Sequence, residues 1–73
     1  MDEQKVLENF GLNFKYYRNK AKLSQDDIVE KTGFSKSYIS NVESAKHNLS
    51  LVNALKFANV VNKTIEDMIR DLS

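Results

Sequence analysis

Gln25-Asp26-Asp27-Ile28-Val29-Glu30-Lys31-Thr32-Gly33-Phe34-Ser35-Lys36-Ser37-Tyr38-Ile39-Ser40-Asn41-Val42-Glu43-Ser44 is the run around which this chain is organised, and it divides at Gly33 into two short helical patterns. Ser24, just ahead of it, is placed to cap the first helix, with Asp27 three residues on completing a shorter version of a capping box. Gly33 ends that helix, since a tight turn asks for a left-handed residue and glycine has no Cβ to clash there. Ser35 is placed to cap the second helix. Ile28, Phe34, Ile39 and Val42 are the inward apolar positions, with Val29 and the small Thr32 beside them. Two helices this short cannot bury those side chains alone, so other helices must stand behind them.

The outward face of the second helix points to a function. Lys36, Ser37, Ser40 and Asn41 fall on one stripe, opposite Ile39 and Val42. Such a stripe is polar and rich in hydrogen-bonding groups, and an α-helix fits the major groove, where base edges present donor and acceptor patterns. Tyr38, beside the stripe, is open to either a base or a backbone contact, or to packing against the turn. The segment resembles the helix-turn-helix of the Xre/Cro/lambda-repressor family, with its leading Gln25, glycine turn, apolar residues in the second helix and terminal Glu43. Within that family it is most similar to the controller proteins of restriction–modification systems, on Tyr38-Ile39-Ser40, Val42-Glu43 and Asn48-Leu49-Ser50. The resemblance spans residues 10 to 69. It implies an all-α, five-helix, lambda-repressor-like DNA-binding domain: a homodimeric transcriptional regulator acting on a pseudo-palindromic operator.

Upstream, a helical pattern runs from Glu3 to Lys22, with Leu7, Phe10, Phe14, Tyr17 and Ala21 as one apolar stripe. Gly11 interrupts it at a cost of about 1 kcal/mol relative to Ala, which points to close packing against another helix. Leu12 and Tyr16 lie off the stripe, expected at the surface, and Leu23 anchors the turn that follows. The family resemblance implies that Arg18 pairs with Glu43, a bidentate contact tying the first helix to the end of the recognition helix.

Downstream, the resemblance places the loop after Glu43 along the DNA backbone and makes Lys46, His47 and Asn48 candidate phosphate contacts, with Gln25, at the head of the helix-turn-helix, a further backbone candidate; such contacts position a protein without reading sequence. Ser44-Ala45 stands where the family often has a glycine, Val29 where it usually has Ala, and Lys63 where it often has a small apolar residue. Ser50 is placed to cap a fourth helix reaching Val61, with Leu51, Ala54, Phe57, Ala58 and Val61 as its buried face. Thr64 and Asp67 open a last short helix carrying Ile65, Met68, Ile69 and Leu72. By resemblance the segment 50–72 supplies a twofold dimer interface, with Leu55, Ile65, Met68, Ile69 and Leu72 as candidates. Ile65 and Met68 read equally well as residues that close the core.

Composition is consistent with this and less specific. The 73 residues make one domain, and a chain so short buries only about 60% of its unfolded surface, so association would help it. No cysteine is present, which excludes a disulfide framework and a Cys-based zinc site. The acidic amino terminus has no apolar core of a secretory signal, and no apolar run approaches a bilayer's thickness. A cytoplasmic, nucleoid-associated location is therefore expected. The formal net charge is only +1, but residues 11 to 47 carry seven cations against four carboxylates. That excess surrounds the helix-turn-helix, although a solvated surface often shows as much. One histidine, no phosphate-cradling glycine loop and no carboxylate constellation argue against an enzyme, and no cofactor or metal is expected. The expected partners are double-stranded DNA and a second copy of the chain, with RNA polymerase as a candidate contact. A phage-type repressor or antitoxin-like regulator shares the scaffold, and a helical protein-interaction module without DNA binding is the rival from another class.

Overall fold

The computed structural model describes residues 2–71, and among them the secondary structure is entirely helical. Five helices follow in order: α1 (Glu3–Lys20), α2 (Gln25–Thr32), α3 (Lys36–Glu43), α4 (Leu51–Val60) and α5 (Ile65–Ile69). Each begins at a side chain that satisfies otherwise orphaned backbone N–H groups. Asp2 accepts from the N–H groups of Gln4 and Lys5, Ser24 from Asp27, Ser35 from Tyr38, Ser50 from Asn53 and Thr64 from Asp67. At α2 and α5 the box is closed, because Asp27 and Asp67 accept in return from the N–H groups of Ser24 and Thr64. These bonds hold both carboxyls below the ordinary aspartate value, the backbone donor being the main cause and the cap hydroxyl the next.

The helix ends are less visible in the sequence. Gly33 closes α2 in the left-handed region at φ 80°, its N–H on the Val29 carbonyl. Lys22, Ala45 and Asn62 reach φ 60° without being glycine. All three are the left-handed residues of Schellman motifs. Lys22 N–H donates to Asn19 and Leu23 N–H to Arg18; Ala45 donates to Val42 and Lys46 to Asn41; Asn62 donates to Asn59 and Lys63 to Ala58. The first of these motifs ends α1 at Lys20, two residues before the expected Lys22. Ala21 therefore becomes an exposed cap and drops out of the apolar stripe.

The core joins Phe10 and Phe14 of α1, Ile28 of α2, Ile39 and Val42 of α3, Ala54, Phe57 and Ala58 of α4, Val61, and Met68 of α5. Phe57 lies at its centre. Its ring meets Phe14 edge-on at a centroid distance of 4.8 Å and stacks on Phe34 at 5.0 Å. Burying one such ring contributes about 1.5–3 kcal/mol. Val60, expected outside the buried face, is half-buried against this cluster, as is Ile65. Leu51 departs the other way. It sits in the first turn of α4, at the rim of the core, and is 70% exposed.

Helix α1 packs on α3 and α5, α2 on α3 and α4, and α4 on α5. Gly11 is where α1 meets the end of α3. A Cβ there would lie 2.6 Å from the Val42 carbonyl oxygen and 2.7 Å from that of Glu43, a clash with backbone that no rotamer relieves. At the other contact Asn13 donates to the carbonyls of Met68 and Arg70, both at 2.8 Å, so a buried amide of α1 caps the end of α5. Asn9, one turn earlier, reaches Ile69 at 3.5 Å.

Candidate nucleic-acid interface

Three elements meet at the carboxylate of Glu43. Arg18 Nε donates to Oε2 at 2.8 Å and Arg18 Nη2 to Oε1 at 3.2 Å, a bidentate pair whose side chains are only 9% and 6% exposed. Gln25 Nε2 also donates to Oε1, at 3.2 Å. Arg18 Nη1 donates to the Leu23 carbonyl at 2.9 Å, bringing the α1–α2 turn into the same knot. So α1, the turn, α2 and the end of α3 are locked together by charge-assisted bonds with fixed fork geometry. Gln25 was expected at the DNA backbone. The structure gives its carboxamide a place in this knot, which spacing alone did not signal.

With its end held, α3 is positioned as a rigid rod on the protein surface. Lys36, Ser37 and Ser40 are exposed and Asn41 half-exposed, on the side away from the buried Ile39 and Val42. The expected stripe is therefore assembled on one open face. Lys36 has a partner there: its Nζ lies 3.2 Å from Asp26 Oδ1. Tyr38 is turned toward the protein. Its ring packs edge-on against Phe34 at 5.1 Å and its hydroxyl accepts from Asn53 Nδ2 at 3.0 Å, so it braces the first turn of α3 against α4.

The loop that follows α3 turns on the left-handed Ala45, at φ 60°. Lys46, His47 and Asn48 are all exposed. The His47 ring lies 6.1 Å from that of Tyr38. The outward stripe of α3 is thus followed in the chain by three more exposed polar side chains, and an α-helix has the width that a major groove admits.

On α4 and α5 Leu55 is 44% and Ile69 39% exposed, and Leu51 and Val52 are more so. Leu51 and Ile69 help line an apolar groove with Val6, Leu7, Leu49 and Ile65. Met68 corrects the expectation of an interface role. It is fully buried against α1 and has no surface to offer a partner, while Leu72 lies outside the described residues. Among the described residues no cluster of three or more His, Cys, Asp or Glu side chains could hold a metal ion. No helix among them is long and apolar enough to cross a membrane.

Two helices joined by a glycine turn, the second presenting a polar face and anchored from behind, define a helix-turn-helix DNA-binding module. The chain belongs to the Helix-turn-helix family HTH_3, whose profile matches residues 14–68. It is 39% identical over 54 residues to an uncharacterised HTH-type transcriptional regulator of Methanocaldococcus jannaschii, covering 74% of this chain and 82% of that protein. To the control protein C.SmaI of Serratia marcescens it is 29% identical over 69 residues, 94% of this chain and 79% of the other. Among solved structures, the restriction-modification controller protein C.AhdI from Aeromonas hydrophila superposes with a TM-score of 0.78 at 32% identity, over 85% of this chain and 94% of that one. A hypothetical transcription factor from Neisseria shares the fold, with a TM-score of 0.86 at 24% identity over 99% and 83% of the two chains. The protein is a helix-turn-helix transcriptional regulator, close to restriction–modification controllers, and not an enzyme.

Proposed function

We propose that residues 1–73 act as a single DNA-binding unit that assembles as a homodimer, binds a pseudo-palindromic operator, and controls a restriction–modification operon together with its own promoter. The observation that carries this is the open stripe of Lys36, Ser37, Ser40 and Asn41 on a helix clamped at its end by the Arg18–Glu43–Gln25 knot. A clamped helix presents donors and acceptors at fixed spacing, which is what discrimination among base edges requires. In this reading Lys46, His47 and Asn48 bind phosphate, and Tyr38 supports the helix from behind. The similarity to C.SmaI and C.AhdI favours the restriction–modification setting over a phage or antitoxin one. Action on the nucleoid and a contact with RNA polymerase belong to the same proposal.

Base reading and backbone positioning predict different behaviour in variants. Lys36→Ala or Asn41→Ala costs about 1–3 kcal/mol on the preferred operator and changes the base selected at one position of each half-site. Lys46→Ala weakens binding to every sequence alike and reduces the magnitude of the salt slope by about one per site, since one fewer counterion is released. Selection of preferred duplexes for each variant at two salt concentrations checks both. An unchanged preference in Lys36→Ala and in Asn41→Ala would remove this helix from direct readout.

A further inference from the structure

We propose that Asp26 sets sequence specificity by holding the Lys36 ammonium at the start of α3 and keeping that cation from acting as a general phosphate contact. The inference rests on the reading of α3 as the helix that enters the major groove. Lys36 is the first residue of α3, the end where the helix dipole is positive and a cation is disfavoured. Asp26 lies across the turn, in the first turn of α2, where the dipole favours an anion. The Lys36 Nζ to Asp26 Oδ1 distance is 3.2 Å. The neighbouring Asp27 is committed elsewhere, accepting from Ser24 N–H at 2.8 Å to close the α2 cap. The two carboxylates of that turn therefore do different things, and Asp26 is the one facing the recognition helix.

The pair is exposed, 61% at Lys36 and 77% at Asp26, so it adds little to folding stability. Its consequence is electrostatic and local. A lysine on a flexible four-carbon stem, if free, takes whatever phosphate it can reach, and that contact is the same for any sequence. Tethered to Asp26, it must give up one anion to take another, and the remaining carboxylate repels a phosphate brought within a Debye length of about 8–10 Å. The ammonium has three donors. With one spent on Asp26, the others remain available to acceptors on a base edge, such as guanine O6 and N7. Asp26 thus lowers non-specific affinity more than operator affinity and narrows the volume from which Lys36 reads. It is a positioning residue acting through Lys36.

The test is Asp26→Asn, Asp26→Glu, Lys36→Ala and the Asp26→Asn/Lys36→Ala double variant of the full chain, each checked for native helix content. Binding is measured to the selected operator and to a random-sequence duplex across 50–200 mM salt. Asp26→Asn is expected to bind the random duplex about threefold more tightly at the low-salt end, with a salt slope steeper by about one. It should also relax preference at the base pair that responds to Lys36→Ala. Asp26→Glu should restore the wild-type slope and preference, and in the Lys36→Ala background Asp26→Asn should leave base preference where it was. A wild-type slope and preference in Asp26→Asn, beside a Lys36→Ala that does shift preference, would overturn the role of Asp26 alone. A wild type without sequence preference, or Lys36→Ala with none lost, would overturn the underlying reading and this inference with it.

Discussion

Arg18 and Glu43 are two nearly buried charges with their hydrogen bonds turned toward each other. Removing either side chain leaves the other charged and desolvated, at a cost of about 3–5 kcal/mol. Arg18→Ala and Glu43→Ala are each expected to lower the denaturant midpoint strongly, and the double variant to lose far less than the sum; additive losses would mean the two do not interact. Each loss reaches past the pair, since Glu43→Ala also frees the Gln25 carboxamide and Arg18→Ala the Leu23 carbonyl. Ala45 carries strain of another kind, a Cβ in the left-handed region at φ 60°. Ala45→Gly removes a steric cost of about 1–2 kcal/mol but adds freedom to the unfolded chain, for a net gain of about 0.5–1 kcal/mol. Urea melts decide the sign, and a loss of stability would show that the Ala45 methyl makes contacts worth more than the strain. At this scale the sequence was legible wherever one residue type has one use, as at Gly33 or Arg18. Asn13 was missed because an amide inside an apolar stripe reads as surface, although Asn9 and Asn13 stand four apart beside Phe10 and Phe14, and that spacing was the available signal.

Helix starts were readable throughout, and helix ends only where a residue such as Gly33 marks one, for a chemical reason. Starts need an oxygen side chain at a fixed offset, and Ser24, Ser35, Ser50 and Thr64 announce them. Ends need only a left-handed residue, and here Lys22, Ala45 and Asn62 serve where glycine would have marked the place. That is why α1 stops at Lys20, and why α4 takes Val61 as its cap. Leu51 was assigned to the buried face by period alone, but a first-turn position at the rim has nothing above it to cover the side chain. The capping boxes carry a prediction of their own. Asp27 and Asp67 have folded-state values below the ordinary 3.8, so the stability they add is fully present above that value and is lost as pH falls through the depressed folded values. Asp27→Asn and Asp67→Asn keep a side-chain acceptor and remove the titration. Each is expected to flatten the acid limb of thermal stability between about pH 5 and pH 2. A variant as acid-sensitive as the wild type would place the titrating groups elsewhere.

At the scale of the whole molecule, α4 and α5 leave apolar side chains exposed. Met68 and Ile65 were expected both as core and as interface, and no pattern in one sequence separates an apolar residue facing its own helices from one facing a second copy. The structure separates them by burial: Met68 has closed the core, while Leu51, Val52, Leu55 and Ile69 remain outside. These four apolar side chains stand in water in the single chain, and an isologous contact removes each of them from water twice. The homodimer proposed here would use Leu55 and Ile69 together with Leu51, which period-based reading had placed inside. Leu55→Glu and Ile69→Glu introduce charges at positions that are partly solvated in the single chain, so folding should survive while self-association weakens at least about tenfold, the equivalent of 1.4 kcal/mol. Sedimentation over a concentration series measures this directly. Operator binding should weaken in parallel, because one half-site alone supplies half the contacts. Two recognition helices related by a dyad should sit on half-sites about 34–36 Å apart, or a multiple of it, so inserting 5 base pairs, about half a helical turn, between the halves should abolish joint binding. A chain that stays monomeric at every concentration and binds each half-site independently, indifferent to that insertion, would mean the apolar face meets a different partner.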